Sequence, residues 1–361
     1  MKNFHDLPTP SLVLDLDRFD FNLDAMSRLA ARSGVALRPH AKTHKCVEIA
    51  RRQIQKGAIG ICVATIAEAE VLARTGIRGL LITAEMVGEP KISRFVEVLK
   101  TAPDTMVVVD DPANAGALQA AVAAAGLSAT VLIDLDVGQN RTGVLPGDPA
   151  RRLAANIEAC PQLRLRGVCA YAGHIAHVIG WEARRQSSRE AWTRALETCD
   201  LLRNDGHDIQ IISGASTGTH NIDAAIPGVT ELQAGSYVFM DVEYSGIGGV
   251  DFKPALFVLA TVIHRSGSKA IVDAGLKAFA TDRSFGPQPH GLSGVSYEFA
   301  GDEHGRLVLE ESSTTIAPGD KLRFILPHCD PNVNLYDRIH CVRGEEVVDV
   351  WPVMDRSGGY F

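Results

Sequence analysis

Residues 58–83, AIGICVATIAEAEVLARTGIRGLLIT, contain the repeating unit that decides the fold. The apolar runs at 58–64 and 79–83 predict two buried strands, and the residues between them repeat at helical spacing. Thr65 is expected to cap this helix, with Glu68 completing a capping box. A strand, a helix and a strand in succession predict two parallel strands joined by a right-handed crossover.

The same unit recurs on both sides of this stretch. Further helices are predicted over 16–33, from 44 to 57, over 111–125 and over 180–204. Further strands are predicted at 35–39, 105–110, 129–134, 166–171, 208–213 and 230–234. So many units favour a closed (β/α)8 TIM barrel over residues 13–245 rather than an open doubly wound sheet, although strand spacing alone does not prove closure.

The pattern changes after about residue 246. Short strands are predicted at 252–264, 268–272, 306–309 and 321–326, separated by Gly, Pro and Asp turns and without alternating helices. The sequence therefore predicts a second, mostly antiparallel β domain over 246–361, joined by the N-terminal segment 1–12.

Composition excludes several classes of protein. The 361 residues carry a formal net charge of -7, which leaves no basic excess for a general nucleic-acid binder. No signal peptide and no membrane-spanning segment are expected. The 7 cysteines form no Cys-x-x-Cys pair, which favours reduced thiols in the cytoplasm.

The predicted strand at 35–39 leads into PHAKTHK, residues 39–45. In a β/α barrel, functional side chains lie at the carboxyl ends of the strands. Neighbouring positive charges lower the pKa of a lysine, as an imine-forming amine requires, and both Lys42 and Lys45 are candidates. A solvated basic loop is the alternative, and the residues alone leave both open.

Two Gly-hydroxyl turns follow late strands: SGASTGT at 213–219 and AGSY at 234–237. Glycine lets backbone N–H groups approach an anion, and the hydroxyls add donors, so the pair suits a phosphate. Two other strand ends carry DVGQNRTGV at 136–144 and YAGH at 171–174. Each of these turns on its own is a weak signal.

LPHCDPNVNLYD, at 326–337, holds a candidate metal pair. If residues 325–330 are extended, His328 and Asp330 point the same way and Cys329 points opposite. An imidazole and a carboxylate on one face suit a divalent cation with open positions for water and substrate. The alternative is a turn in which Asp330 caps the backbone before Pro331.

Together with the opening TPSLVLDLDR at 9–18, these motifs resemble the fold-type III pyridoxal-phosphate (PLP) enzymes, in the branch that contains D-threonine aldolase and D-serine dehydratase. The resemblance covers nearly the whole chain and implies an alanine racemase-like fold. It implies that Lys42 forms the Schiff base and that Arg141 and Tyr171 flank the cofactor. It makes His174 the acid/base residue, with His177 as the alternative. The implied phosphate residues are Ser213, Gly214, Thr217, Gly218, Thr219, Gly235, Ser236 and Tyr237.

The resemblance also implies the reaction. Aldolases of this branch carry His-x-Asp and the dehydratases His-x-Cys, so His328 and Asp330 favour an aldolase that cleaves D-threonine and related D-β-hydroxy amino acids. Mn²⁺ is the first expected metal, with Mg²⁺, Co²⁺ or Zn²⁺ as alternatives. The alternative reactions are dehydration of D-serine or D-threo-3-hydroxyaspartate, and cleavage of D-3-hydroxyaspartate. A homodimer is implied as well.

Overall fold

The apolar runs of the first two thirds of the chain form one sheet of eight parallel strands in a computed structural model, which describes residues 2–310, 315–354 and 356. Two strands of another sheet precede it, β1 (Lys2–Asn3) and β2 (Ser11–Asp15). The eight parallel strands are β3 (Ala36–Leu37), β4 (Ile61–Val63), β5 (Leu80–Ile82), β6 (Met106–Val109), β7 (Ala129–Asp134), β8 (Leu163–Ala170), β9 (Ile211–Gly214) and β10 (Glu231–Leu232).

The parallel sheet closes on itself. Strands β4 to β10 follow each other in chain order, and β10 pairs with β3. A parallel bridge between His40 and Cys62, with a hydrogen bond of 2.9 Å from Ile59 N to Leu37 O, joins the β3 segment to β4. The predicted (β/α)8 barrel is therefore confirmed. Strand spacing alone could not prove that it is closed, and the contacts of the β3 segment with β4 and β10 show that it is.

Helices cover the outside of the barrel, and α1 has the bounds that the apolar spacing predicted. They are α1 (Leu16–Ser33), α2 (Val47–Gln55), α3 (Ile66–Arg74), α4 (Glu89–Thr101), α5 (Pro112–Ala124), α6 (Asp148–Glu158), α7 (Trp181–Asn204), α8 (His220–Asp223) and α9 (Val242–Gly246). The predicted capping box at α3 is half correct. Thr65 Oγ1 accepts from Glu68 N, but Glu68 Oε2 accepts from Ala64 N instead of the cap residue's N–H.

The barrel interior combines apolar side chains with one buried ion pair. Arg38, at the end of β3, donates from Nη2 to Glu231 Oε1 of β10 over 2.8 Å, and both side chains are buried. Arg38 also donates to the carbonyl of Gly79. A guanidinium that reaches two neighbouring chain segments fixes their relative positions, while a single buried charge would be costly.

A second, mixed sheet holds the remaining strands. The strands after the barrel are β11 (Leu256–Ser266), β12 (Lys269–Val272), β13 (Gln288–Pro289), β14 (Val295–Phe299), β15 (Gly305–Leu309), β16 (Lys321–Ile325), β17 (Arg338–Arg343) and β18 (Glu346–Pro352). The order in the sheet is β1-β18-β17-β2-β11-β12-β15-β14, with β16 beside β11 and β13 beside β16, and β17 and β2 are its parallel pair.

The prediction that 325–330 is extended is wrong. Strand β16 ends at Ile325, and the chain then enters a short helix, α10 (Cys329–Val333), with His328 as its N-cap. Pro331 does not prevent this helix, because the first turn has no intrahelical partner for its N–H groups. The pair of His328 and Asp330 is therefore presented by a helix start.

The predicted division of the chain between residues 245 and 246 falls at the end of α9. Within the predicted β domain, residues 311–314, 355 and 357–361 lie outside the described part of the chain. In the described residues, no helix is long and apolar enough to cross a membrane.

Candidate functional site

Two cavities meet at the carboxyl ends of the barrel strands. The larger, of about 300 Å³, lies over β5 to β8, and the smaller, of about 170 Å³, reaches from the barrel to α10. Four side chains line both: His40, Lys42, Tyr171 and Gln233. Together they have the size of a small-molecule site.

Lys42 lies in a 3₁₀ turn, Ala41–Thr43, capped by His40, whose Nδ1 accepts from Lys42 N over 3.3 Å. His40 Nε2 lies 3.0 Å from Thr83 Oγ1, and burial keeps the pKa of His40 well below its ordinary value. Lys42 Nζ lies 3.7 Å from Asp330 Oδ1, and this carboxylate raises the pKa of Lys42. The expectation that neighbouring cations lower this pKa is therefore wrong, because the carboxylate has the larger effect. The amine thus connects the two cavities and contacts the predicted metal pair.

Lys45 has a different environment. Its Nζ lies 3.0 Å from Glu68 Oε1, which is buried at the start of α3. The two lysines of the segment are therefore separated by the turn, and Lys42 is the one that lines the cavities.

The two Gly-hydroxyl turns lie side by side at the smaller cavity. Ser216 and Thr217 from one turn, and Gly235 and Ser236 from the other, line it. Ala215, between β9 and these hydroxyls, has a left-handed φ of 74°, a strained conformation that tends to occur at functional sites.

Several predicted phosphate residues support these turns without lining a cavity. Ser213 Oγ accepts from Gln233 Nε2 over 3.0 Å, and Thr219 Oγ1 accepts from Ser216 N and donates to Asp223. Gly214 and Gly218 allow close packing, because a Cβ on Gly218 would lie 1.8 Å from Ala176 O.

The side chain of Tyr237 lines neither of the two cavities. Its ring is buried against Phe252, and its hydroxyl accepts from Gln53 Nε2 of α2 over 3.2 Å. In the 3₁₀ turn Ser236–Val238, consecutive side chains point in different directions, so Ser236 faces the cavity and Tyr237 faces the core.

Arg141 and Tyr171 both line the larger cavity, with the Arg141 guanidinium 5.6 Å from the Tyr171 ring centre. Glu85 and Asp134 line the same cavity. Burial raises the pKa of Glu85 to about 7 and also raises that of Asp134. This cavity therefore combines a cation with carboxyls that hold protons more tightly than usual.

The two histidines after β8 lie in different surroundings. His174 is exposed and lies beside Gly138, whose Cβ, if present, would be 3.3 Å from His174 Nε2. His177 lines the smaller cavity together with the predicted metal pair, and its ring packs against that of Tyr244, with the ring centres 4.4 Å apart and the planes tilted by 47°. Burial lowers the pKa of His177, while the neighbouring Glu243 partly offsets this. A neutral imidazole can accept a proton.

His328 and Asp330 meet at the start of α10. His328 Nε2 lies 3.8 Å from Asp330 Oδ2, and Asp282 Oδ2 lies 2.7 Å from His328 Nδ1. Cys329 is turned away, with its Sγ 3.3 Å from Met240 O. The two side chains converge as predicted, although by a helix start.

The residues present fit PLP. The hydroxyls of Thr43 and Thr217 are buried at the smaller cavity and have no hydrogen-bond partner among the described residues. Buried polar atoms are normally satisfied, and a phosphate would supply acceptors. Lys42 is near enough to both cavities to hold the rest of the cofactor.

A divalent cation fits as well. Asp330 Oδ2 is buried without a hydrogen-bond partner in the part of the chain that the structure describes. With Nδ1 of His328 directed at Asp282, Nε2 is available to a metal. No group of three or more His, Cys, Asp or Glu side chains in the described residues could hold a metal ion. The two side chains leave further ligand positions for water and substrate.

Sequence reasoning missed several cavity residues. Gln233 had a usable signal, because it alternates with the buried Glu231 on the inner face of β10 and its extension. The others are single polar residues, in loops, in short turns or helices, or at a strand end, with no distinguishing pattern. They are Thr43, Thr83, Glu85, Asp134, Thr142, Ser216, Tyr244 and Arg283.

Known proteins match this arrangement over the whole chain. Residues 14–243 match the family described as "Alanine racemase, N-terminal domain", and residues 255–342 match the "Putative serine dehydratase domain". D-threonine aldolase of Arthrobacter sp. is 39% identical over 97% of this chain and 93% of its own length. 3-Hydroxy-D-aspartate aldolase of Paracoccus denitrificans (strain Pd 1222) is 35% identical over 98% of this chain and 94% of its own.

The crystal structure of D-threonine aldolase from Filomicrobium marinum superposes with a TM-score of 0.95 at 39% identity, covering 99% of this chain and 98% of that one. The chain therefore belongs to the fold-type III, alanine racemase-like family of PLP enzymes, among the relatives that include the D-threonine and 3-hydroxy-D-aspartate aldolases.

Proposed function

We propose that the chain is a PLP- and divalent-metal-dependent carbon–carbon lyase that cleaves D-threonine and related D-β-hydroxy-α-amino acids to glycine and an aldehyde. One observation carries the proposal: Lys42, His177 and the pair His328 and Asp330 line one cavity beside two hydroxyl-rich turns. The similarity to D-threonine aldolase over 97% of the chain supports this choice of substrate.

The cofactor would be carried by Lys42. The phosphate would be held by Ser216, Thr217 and Ser236, with Thr43 beside them. Arg141 and Tyr171 would flank the ring in the larger cavity. When bound, PLP supplies an electron sink for the breaking bond at Cα.

The metal would be held by His328 and Asp330. A divalent cation at this pair lowers the pKa of a hydroxyl bound to it. We propose Mn²⁺ as the native ion, with Mg²⁺, Co²⁺ and Zn²⁺ as alternatives. Mn²⁺ accepts the mixed nitrogen and oxygen ligands that this pair provides.

The protein's own groups would move the protons. His177, with its lowered pKa, would accept the proton of the β-hydroxyl, and the Cα–Cβ bond would then break. The aldehyde leaves, and Lys42, at the junction of the cavities, would return a proton to Cα. We propose His177 for this role in place of His174, because His174 is exposed outside the cavity.

Dehydration of D-serine or D-threo-3-hydroxyaspartate is the second candidate function. The match of residues 255–342 to a serine dehydratase domain favours it. The proposed metal at His328 and Asp330 could assist either reaction. A histidine with a lowered pKa is a base at neutral pH, and a base favours removal of the hydroxyl proton over protonation of a leaving hydroxyl group. Cleavage of D-3-hydroxyaspartate is the remaining alternative, supported by the relative at 35% identity.

Product analysis separates these reactions. Protein loaded with PLP and Mn²⁺ is incubated with D-threonine and, separately, with D-serine. The aldolase yields glycine and acetaldehyde from D-threonine, whereas a dehydratase releases ammonia and a keto acid. Ammonia and a keto acid as the main products would reject the aldolase.

The cofactor lysine has its own test. Lys42→Ala is expected to remove the visible absorbance of bound PLP, because no other amine takes its place at the cavity junction. Lys45→Arg, the matched control, keeps a cation beside Glu68 and should retain the absorbance. An unchanged absorbance in Lys42→Ala would move the cofactor to Lys45 or elsewhere.

The proposal includes a homodimer in the cytoplasm, with the chain divided at residues 245 and 246. Seven free cysteines, six of them buried and Cys160 half-buried, suit a reducing compartment. Light scattering of the purified protein tests the dimer.

A further inference from the structure

Three charged residues outside the sequence motifs connect His177 with the metal pair. Arg283 Nε donates to Glu243 Oε2 over 2.7 Å, and Arg283 Nη1 donates to Asp282 Oδ2 over 2.7 Å. Glu243 Oε2 lies 3.4 Å from His177 Nε2, and Asp282 Oδ2 lies 2.7 Å from His328 Nδ1. Basic and acidic groups therefore alternate without a gap from His177 to His328.

This series joins separate parts of the fold. His177 follows the last 3₁₀ turn after β8, and Glu243 lies on α9, where the chain leaves the barrel. Asp282 and Arg283 lie in the loop between β12 and β13 of the second sheet. Arg283 thus connects the two sides of the cavity, because it bonds Glu243 on the barrel side and Asp282 on the side of the second sheet.

Asp282 is hydrogen-bonded to His328, and Glu243 lies within ion-pair distance of His177. An imidazole that donates from Nδ1 to Asp282 presents the lone pair of Nε2 to a metal, and such partners fix ring orientation. Glu243, beside His177 Nε2, stabilises the ring after it has accepted a proton. The carboxylates of Glu243 and Asp282 are partly shielded from water, so their mutual repulsion is less screened. The guanidinium of Arg283 between them offsets this repulsion.

We propose that Arg283 is a positioning residue, which holds Glu243 and Asp282 in place and through them orients His177 and His328. The inference rests on the proposed function of His177 and of the metal pair, and it adds the group that couples them. Arg283 acts through its two partners, because both donor edges of its guanidinium face a carboxylate.

Arginine suits this role better than lysine. A guanidinium presents donors in a rigid fork and can bond two carboxylates in fixed directions, whereas an ammonium is a point charge on a flexible stem. Lysine at 283 would keep the charge that separates the two acids, while it would lose their fixed directions. Partial function of Arg283→Lys is therefore expected.

The test measures Mn²⁺ affinity of the PLP-loaded protein, from the electron paramagnetic resonance signal of free Mn²⁺, without substrate. Arg283→Gln is expected to weaken binding by about 10–100-fold, the usual effect of removing an outer partner of a metal ligand. Arg283→Lys should recover part of this loss. Arg306→Gln is the matched control, because it breaks an arginine–glutamate pair on β15, with Glu298 at 3.3 Å. It should bind Mn²⁺ as the wild type does.

His328→Ala serves as the reference for the metal site itself. If His328→Ala weakens Mn²⁺ binding and Arg283→Gln does not, the inference on Arg283 is overturned. If His328→Ala also leaves the affinity unchanged, it is the proposed metal pair that fails. Thermal melting of each variant shows whether it is folded. If Arg283→Gln does not fold, the Mn²⁺ affinity of Arg283→Lys decides the test.

The coupling to His177 is read from kinetics with D-threonine at saturating Mn²⁺. Arg283→Gln should then show a lower kcat with a nearly unchanged KM, because His177 loses its oriented partner while the metal is present. Full recovery of kcat by added Mn²⁺ would overturn the part of the inference that concerns Glu243.

Discussion

At the residue scale, two histidines three positions apart have opposite surroundings. His177 faces the cavity that contains Lys42, and His174 is exposed beside Gly138. Local sequence cannot distinguish them, because the turn between them decides which ring points inward. The role proposed for His177 therefore depends on the backbone conformation between His174 and His177, which directs the His177 ring into the cavity.

Substitution of each histidine separates their roles. His177→Gln is expected to lower kcat for D-threonine cleavage by about 10²–10⁴-fold, the usual contribution of a positioned base. His174→Gln is the matched control and should leave kcat nearly unchanged. The reverse pattern in steady-state kinetics would give the role of base to His174.

Asp223 makes stability depend on pH. Burial raises its pKa to about 6, although Ser188 and Thr219 donate hydrogen bonds to it. A carboxyl whose pKa is higher in the folded state stabilises the fold at low pH, and this contribution is lost as pH rises from about 4 to about 6. The hydroxyl of Thr219 links this carboxyl to the proposed phosphate turn, residues 213–219, through Ser216 N.

Between pH 4 and pH 7, the free energy of unfolding of the wild type should therefore fall by about 2 kcal/mol relative to that of Asp223→Asn, since the asparagine does not titrate. Urea unfolding at several pH values measures the difference. Parallel pH curves for the two proteins would contradict the prediction.

At the scale of elements, Gly218 determines how closely the phosphate turn approaches the loop that carries His177. A Cβ at this position would lie 1.8 Å from Ala176 O, so the turn or the loop would have to move. At Gly116 of α5, by contrast, an added Cβ would meet no atom within 4 Å. Substitution of Gly116 by alanine is therefore the matched control for the same substitution at Gly218.

Gly218→Ala is expected to destabilise the protein by about 1–3 kcal/mol through overpacking, and to weaken PLP binding. Gly116→Ala should be neutral or stabilise by up to about 1 kcal/mol, because alanine suits a helix interior better than glycine does. Urea unfolding and PLP titration measure both effects. Equal stabilities of the two variants would show that the turn is not tightly packed.

Elements with a clear period could be predicted from the sequence, and α1 and β7 have the expected bounds. Their apolar spacing is local information. The start of α10 could not be predicted, because five residues are too few for a period. The orientation of Ser236 and Tyr237, and the pairing of Arg283 with Glu243, depend on contacts between distant segments. The family resemblance singled out Lys42 as the candidate cofactor lysine, whereas the charged residues around it could be identified only from the structure.

At the scale of the whole molecule, the two proposed ligands are held by different parts of the fold. The residues around the proposed cofactor, Lys42, Ser216 and Ser236, lie on the barrel. His328 and Asp330 lie on the segment after β16 of the second sheet. The metal and the cofactor should therefore be removable one at a time.

Dialysis against a chelator is expected to abolish D-threonine cleavage and to leave the visible absorbance of PLP in place. Added Mn²⁺ should restore activity, because the barrel side of the site remains intact. The control is dialysis against buffer saturated with Mn²⁺. Undiminished activity after thorough chelation would remove the metal from the reaction.

The place of β2 has a consequence for synthesis of the protein. This strand lies between β11 and β17 in the second sheet, and its neighbours begin at residues 256 and 338. At about 5–20 residues per second, the ribosome needs on the order of tens of seconds to deliver the first neighbour after β2 has emerged. During that interval the barrel can form, while Leu12, Val13 and Leu14 of β2 have no neighbouring strand to pair with. An apolar strand of the second sheet therefore stays without its neighbours during most of the synthesis of the barrel.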